Sequence, residues 1–168
     1  ARCNDTIKKL ARISESSQAS QNESVSRLLE DLKEYYLLHS PARQPVFKYT
    51  DSEHVVAADQ LFTHALINLI NNALESSSNE VLVEILTPAT GMEIHVCNSM
   101  ISGQQNSLES WGKTVQSNKA NGLGIGSFLA NSTIERAGGR VALKINEANH
   151  HSVDVRVVVK MPVEFYCR

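Results

Sequence analysis

The run from Gln60 to Ser77 constrains this chain most. Leu61, Leu66, Leu69, Ile70 and Leu74 recur at helical spacing, and Asp59 is a good residue to cap the start. A long amphipathic helix is therefore predicted over about 60–77. Its interior carries Asn68, Asn71 and Asn72, a residue type that helix interiors disfavour. Asn68 and Asn72 stand four apart, so they stack on one face while Leu69 and Ile70 turn to the core. Amide oxygens in that arrangement suit a hard cation such as Mg²⁺, which prefers oxygen ligands and phosphate company. A merely polar helix face is the plainer reading.

Around this helix the pattern alternates between periods. A helix is read over 3–14. A polar Ser/Gln-rich break follows over 16–22. A second helix, capped by Asn22, carries Val25, Leu28, Leu29, Leu32, Tyr35 and Leu38 and stops before Pro41. Short extended pieces are read over 46–49 and 54–57. Beyond the long helix, Val81 to Leu86 and Glu93 to Cys97 alternate as strands, with Thr87 to Gly91 turning between them. Residues 99–121 form a long polar loop, the kind that is usually functional. A helix over 127–137 ends at Gly138-Gly139, and strands follow over 140–145 and 152–160. The fold class this order implies is α+β: a two-layer sandwich with helices on one face of a mixed, mostly antiparallel sheet.

A second chemical signal is Gly122-Leu123-Gly124-Ile125-Gly126, which opens a helix. Glycines let backbone N–H groups approach a phosphate, and the helix start behind them favours an anion. Alone it reads equally as a Gly-rich turn. A dinucleotide fingerprint needs a strand directly before the glycines, and here a loop precedes them.

The remaining composition mostly excludes. With 16 Lys+Arg against 18 Asp+Glu the formal charge is −2, so no basic field for nucleic acid is expected. Phosphate binding would have to come from Mg²⁺, glycine backbone and helix ends. Cys3, Cys97 and Cys167 are widely spaced, which argues against a disulfide scaffold or zinc site and for a reducing, cytoplasmic setting. The six histidines lack metal-ligand spacing. The chain opens at Ala1 rather than Met, so it is read as a fragment whose sensors or anchors lie elsewhere.

An Asn-rich helix, a hairpin, a long loop and then a glycine-rich helix start resembles the ATP-binding catalytic domain of sensor histidine kinases. These share a superfamily with gyrase, MutL and a heat-shock chaperone. Leu61 to Ser76 looks like the N-box, and Lys113 to Gly126 looks like the lid end plus the second glycine box. The resemblance covers about 50–162. It implies that Asn72 ligates Mg²⁺, that Asn68 assists near the γ-phosphate, and that Gly122, Leu123, Gly124, Ile125 and Gly126 close over the phosphates of ATP. Asn98, Lys113 and Ser117 join the nucleotide-binding set. It implies further a division into a dimerisation-helix tail (1–20), a linker helix (21–45) and a catalytic domain (46–168). The full-length protein would be a homodimer in the bacterial inner membrane, this part lying in the cytoplasm, with a response regulator as partner.

A finer similarity is to the RegB/PrrB branch of redox-responsive sensor kinases. It rests on Trp111 to Ser117, Gly122 to Gly126, Phe128-Leu129-Ala130 and Thr133 to Arg136. Ala1-Arg2-Cys3 with Ile7 resembles the end of that branch's second dimerisation helix, which would make Cys3 its redox-sensitive cysteine.

Three departures stand out. Where the family has an Asp that accepts from the adenine amino group and a Gly two residues on, this chain has Asn98-Ser99-Met100. Asn98 keeps an acceptor without the charge, which costs on the order of 1–2 kcal/mol. Glu75 and Ser76 follow the N-box where relatives place basic or aromatic residues; Glu75 either faces water or is screened by Mg²⁺, Lys113 or Lys119. No histidine has the context of a phosphoacceptor; His64 falls in the N-box helix. The leading expectation is an ATP-dependent histidine kinase catalytic domain. The alternative is a nucleotide-poor pseudokinase of the same fold. An anti-sigma-factor serine kinase fits the size but not the two leading helices.

Overall fold

The computed structural model describes residues 23–49, 55–56, 60–102, 125–149 and 151–162. The expected helix at 3–14, the cap at Asn22, Asp59, and the loop up to Gly124 lie outside them. Within them the order is β1 (Glu23–Ser24), α1 (Val25–His39), β2 (Val46–Tyr49), β3 (Val55–Val56), α2 (Gln60–Ser76), β4 (Leu82–Leu86), β5 (Gly91–Ile101), α3 (Ile125–Arg136), β6 (Arg140–Asn149) and β7 (Ser152–Pro162). Five strands form one sheet in the order β2-β4-β5-β7-β6; β2 runs parallel to β4 and the other neighbours are antiparallel. β1 and β3 make a separate two-residue ladder. The α+β sandwich with a mixed sheet is as expected.

Period-2 alternation makes the layers. Val81, just ahead of β4, and Val83 and Ile85 within it turn inward, and on β5 Met92, Ile94 and Val96 do the same; all are essentially inaccessible to solvent. Val157, Val159 and Met161 of β7 continue that face. Against it pack Leu28, Leu32 and Tyr36 of α1, Leu66, Leu69 and Ile70 of α2, and Ala130 and Ile134 of α3, all in one buried cluster. Residues 25–39, assigned by resemblance to a linker, thus contribute to the same core as the sheet.

Two apolar stripes differ from expectation. On α1 the buried positions are Val25, Leu28, Leu29, Leu32 and Tyr36, while Leu38 is 68% exposed and Tyr35 only partly buried. Four residues, not three, separate the last two core contacts, because a 3.6 period returns to the same side at Tyr36. On α2, Leu61 is exposed and Phe62 is buried in its place.

β5 is also longer than its alternation suggested. It pairs with β7 from Gly91↔Pro162 to Ile101↔Ser152, whereas its ladder with β4 ends at Leu82↔Cys97. Asn98, Ser99 and Met100, expected to follow the strand, are inside it. At the other end, Gly91 has φ 150°, and a Cβ there would collide with the Met161 carbonyl oxygen. Only glycine fits this close crossing. α3 ends on Gly138 (φ 83°), with Gly138 N–H donating to the Glu135 carbonyl and Gly139 N–H to the Ile134 carbonyl, both at 2.9 Å. That pair of bonds is the Schellman arrangement and satisfies the last helical carbonyls.

The outer face carries a polar ladder across three strands. Glu93 Oε1 accepts from Lys160 Nζ at 2.6 Å, and Glu93 Oε2 lies 3.0 Å from His95 Nε2; the Glu84 carboxylate is 3.9 Å from His95 Nδ1. The Lys160 hydrogen bond, followed by that of His95, holds the Glu93 carboxyl below its ordinary range.

Two outcomes follow. Gly91→Ala is expected to destabilise the fold by about 2 kcal/mol or more, through backbone strain and a displaced β7, read as a lowered denaturation midpoint. Because folding favours ionised Glu93, its contribution is complete above the ordinary glutamate value of 4.5 and is lost as pH falls through the depressed folded value. The stability advantage of wild type over Glu93→Gln should therefore shrink as pH is lowered below 4.5, as measured by urea unfolding across pH.

Candidate functional site

The asparagines of α2 divide between two surroundings. Asn68, Asn71 and Asn72 are half-buried, flanked by Ile67, Leu69 and Ile70 in the core. Helical spacing places Asn68 and Asn72 on one side, as the sequence implied. Asn71 is already engaged: its Oδ1 accepts from the Tyr36 hydroxyl at 3.1 Å. That leaves Asn68 and Asn72 as the amides available on this face for a cation or phosphate-bound ligand.

The end of α2 meets the part of β5 that β4 does not cover. The Ser99 carbonyl accepts from Ser78 N–H at 2.8 Å, Ser78 Oγ at 3.1 Å and Ser77 Oγ at 3.3 Å. Arg43 donates to the Ser77 carbonyl at 2.7 Å. Ser76 Oγ bonds back to the Asn72 carbonyl at 2.7 Å and receives Asn98 Nδ2 at 3.4 Å. Ser76 is thus the bridge between the Asn face of α2 and Asn98 of β5. The sequence alone marks Ser76 as a position beside the N-box and Ser77 as the end of the helix, with no role for Ser78. Three adjacent hydroxyls beside an Asn-rich face were the signal available for more.

Asn98 interrupts the apolar inner face of β5 between Val96 and Met100, and it is only 6% exposed. Its carbonyl oxygen Oδ1 has no donor among the described residues. A buried polar atom left unpaired costs about 1–3 kcal/mol, and such atoms are rare. Met100, expected to add bulk beside a nucleotide, is 4% exposed and packs with Val153, Val155 and Leu143 in a small separate cluster.

At the start of α3 the space beside Gly126 is open: an added Cβ would meet nothing within 4 Å. α3 packs against α2, with Ala130 and Ile134 in the core. The last glycine of the Gly-rich segment therefore opens the helix that leans on the Asn-bearing one. Ile125 is the first residue of α3. Lys113, Ser117, Gly122, Leu123, Gly124 and Cys3 lie outside the described residues. Glu75 and His64 are exposed on α2. Among the described residues no group of His, Cys, Asp and Glu could hold a metal ion.

Neither a family model nor a curated protein sequence matches the chain. Solved structures do. The catalytic domain of the histidine kinase ThkA superposes with a TM-score of 0.68 at 18% identity, covering 86% of this chain and 96% of that one. The Acinetobacter baumannii histidine kinase AdeS gives 0.60 at 12% identity over 94% of this chain and 75% of its own. Full-length ShkA, solved in complex with AMPPNP, gives 0.58 at 14% identity over 91% of this chain and 34% of its own. The chain has the fold of histidine kinase catalytic domains.

A buried carboxamide whose oxygen meets no donor among the described residues costs stability. Asn98→Leu is expected to raise the stability of the nucleotide-free chain by about 1 kcal/mol, read by chemical denaturation.

Proposed function

We propose that this chain is the ATP-binding catalytic domain of a two-component sensor histidine kinase, which transfers the γ-phosphoryl of Mg–ATP to a histidine on a dimerisation domain. The observation that carries this reading is Asn98: a buried carboxamide whose oxygen meets no donor among the described residues, joined through Ser76 to the Asn68/Asn72 face, in a fold shared with histidine kinase catalytic domains. The group fits these residues. Asn98 Oδ1 suits the donor of an adenine amino group, and the open space at Gly126 suits a phosphate drawn against backbone N–H groups.

In this reading Asn72 offers its amide oxygen to Mg²⁺ and Asn68 lies toward the γ-phosphate end of the same face. The backbone of Gly122, Leu123, Gly124, Ile125 and Gly126 closes over the phosphates, with Lys113 and Ser117 contributing from the preceding segment. Bound Mg²⁺ supplies charge neutralisation for the transferring phosphoryl group. The chain's own work is positioning: little covalent chemistry is asked of it, and its amides hold the phosphates in line and exclude water. The acceptor histidine, the second protomer of a homodimer and a response regulator belong to the complete signalling system. So does an inner-membrane location. Among the described residues no helix is long and apolar enough to cross a membrane. The RegB/PrrB branch and a redox role for Cys3 extend the proposal, and a Cys3→Ala variant that still cross-links on oxidation would remove that extension.

One observation favours the second reading, a nucleotide-poor regulatory module. Met100 is buried where the resemblance calls for a glycine, its side chain packed with Val153 and Val155 on the same strand face as Asn98.

Nucleotide titration decides between them. Mg²⁺-dependent ATP or ADP binding is expected, weakened at least tenfold in Asn72→Ala with unchanged thermal stability. Absence of binding at millimolar nucleotide would retire the kinase reading in favour of the regulatory module.

A further inference from the structure

Tyr36 is fully buried, yet it carries a hydroxyl. A phenylalanine would fill the same space without needing a partner, and a buried hydroxyl returns only about 1 kcal/mol even when well bonded. The phenol donates toward Asn71 Oδ1 at 3.1 Å and the Ile67 carbonyl at 3.3 Å, two acceptors one turn apart on α2. Its ring is held edge-on by Tyr35, with centroids 5.1 Å apart, and leans on Phe47 of β2 at 6.3 Å. Burial pushes the phenol well above its usual titration range, so the donor stays protonated.

We infer that Tyr36 is a positioning residue for the nucleotide site, its hydroxyl fixing the rotation of α2 about its own axis and so the direction in which Asn68 and Asn72 project. This rests on the proposed function. At about 100° per residue, Asn71 stands about 100° from Asn72 and about 60° from Asn68 around the helix. The phenol therefore grips the flank of the face that would hold Mg²⁺ and phosphate. The buried contacts of α2 with the core are apolar, Phe62, Leu66, Leu69, Ile70 and Leu74 among them, and apolar packing is not directional. A hydrogen bond is. The bonds from Ser76, Ser77 and Ser78 to β5 tie only the far end of the helix, a turn or more beyond Asn71. Side-chain tips lie about 5–6 Å from a helix axis, so a turn of about 10° moves them by about 1 Å. Displacements of that size are costly at a site that works by positioning.

The test uses the chain as it stands, with Tyr36→Phe, Asn71→Ala and the double variant. Mg²⁺ is titrated against ATP binding at a temperature where thermal unfolding shows each protein folded. Each single variant is expected to raise the Kd for ATP, and the Mg²⁺ concentration for half-maximal binding, at least fivefold. The double variant should show no more than the larger single effect, because both remove one bond. Lower thermal stability with an unchanged Kd and Mg²⁺ midpoint would mean that the bond serves the fold alone and would overturn the inference. Additive effects of the two substitutions would overturn it as well. Should Tyr36→Phe fail to fold, Asn71→Ala decides alone by the same readouts. A wild-type chain that binds no Mg–ATP overturns both this inference and the function on which it rests; wild-type binding with unaltered variants overturns the inference only.

Discussion

The unequal lengths of two ladders on β5 shape the rest of the molecule. With β7 the strand pairs along all of Gly91 to Ile101, but with β4 only as far as Cys97. Four residues of β5 are therefore paired on one side and open on the other. Backbone groups at such an edge need partners. The Ser99 carbonyl finds them in Ser77 and Ser78, which pins the end of α2 beside Asn98. That end of the ladder is where β4 begins, at Leu82, so Ser77 and Ser78 just ahead of it are the residues within reach of the carbonyl. The meeting of Asn-bearing helix and Asn-bearing strand is a product of where one short strand begins.

Much of this was legible in the residues and some was not, for physical reasons. The three helices and the alternation of β4, β5 and β7 follow from periodicity, which burial enforces directly. The misassigned positions lie at element ends. Leu38 and Leu61 looked like core because they are large and apolar, but near a helix end a leucine can project past the partner it would pack on. Tyr36 and Phe62, each one residue along from the expected Tyr35 and Leu61, take the core positions instead. The extent of β5 could not be read locally, because Asn98 and Ser99 are poor strand formers and only pairing with Val155 and Asp154 holds them extended. The parallel contact of β2 with β4 is likewise a tertiary fact, since a four-residue strand carries no mark of its neighbour's direction.

The site shows the same split. Asn68 and Asn72 follow from helical geometry alone. That Asn71 is committed to Tyr36 depends on two helices meeting, 35 residues apart in sequence. That Asn98 is buried on the inner face of β5 depends on the sheet. Polar residues in an otherwise apolar pattern mark where to look; packing decides which of them is already satisfied.

The order of strands has a kinetic consequence. β4 with β5 and β6 with β7 are local hairpins, each able to close over a short connection. The central ladder of β5 with β7 joins those hairpins across the whole intervening segment that contains α3. Closing that long connection costs chain entropy before any of its pairs is gained. The β5–β7 ladder is therefore the most costly connection of this sheet to close. Until it is complete, the strand that carries Asn98 lacks its long partner and presents an unpaired edge of the kind through which chains associate.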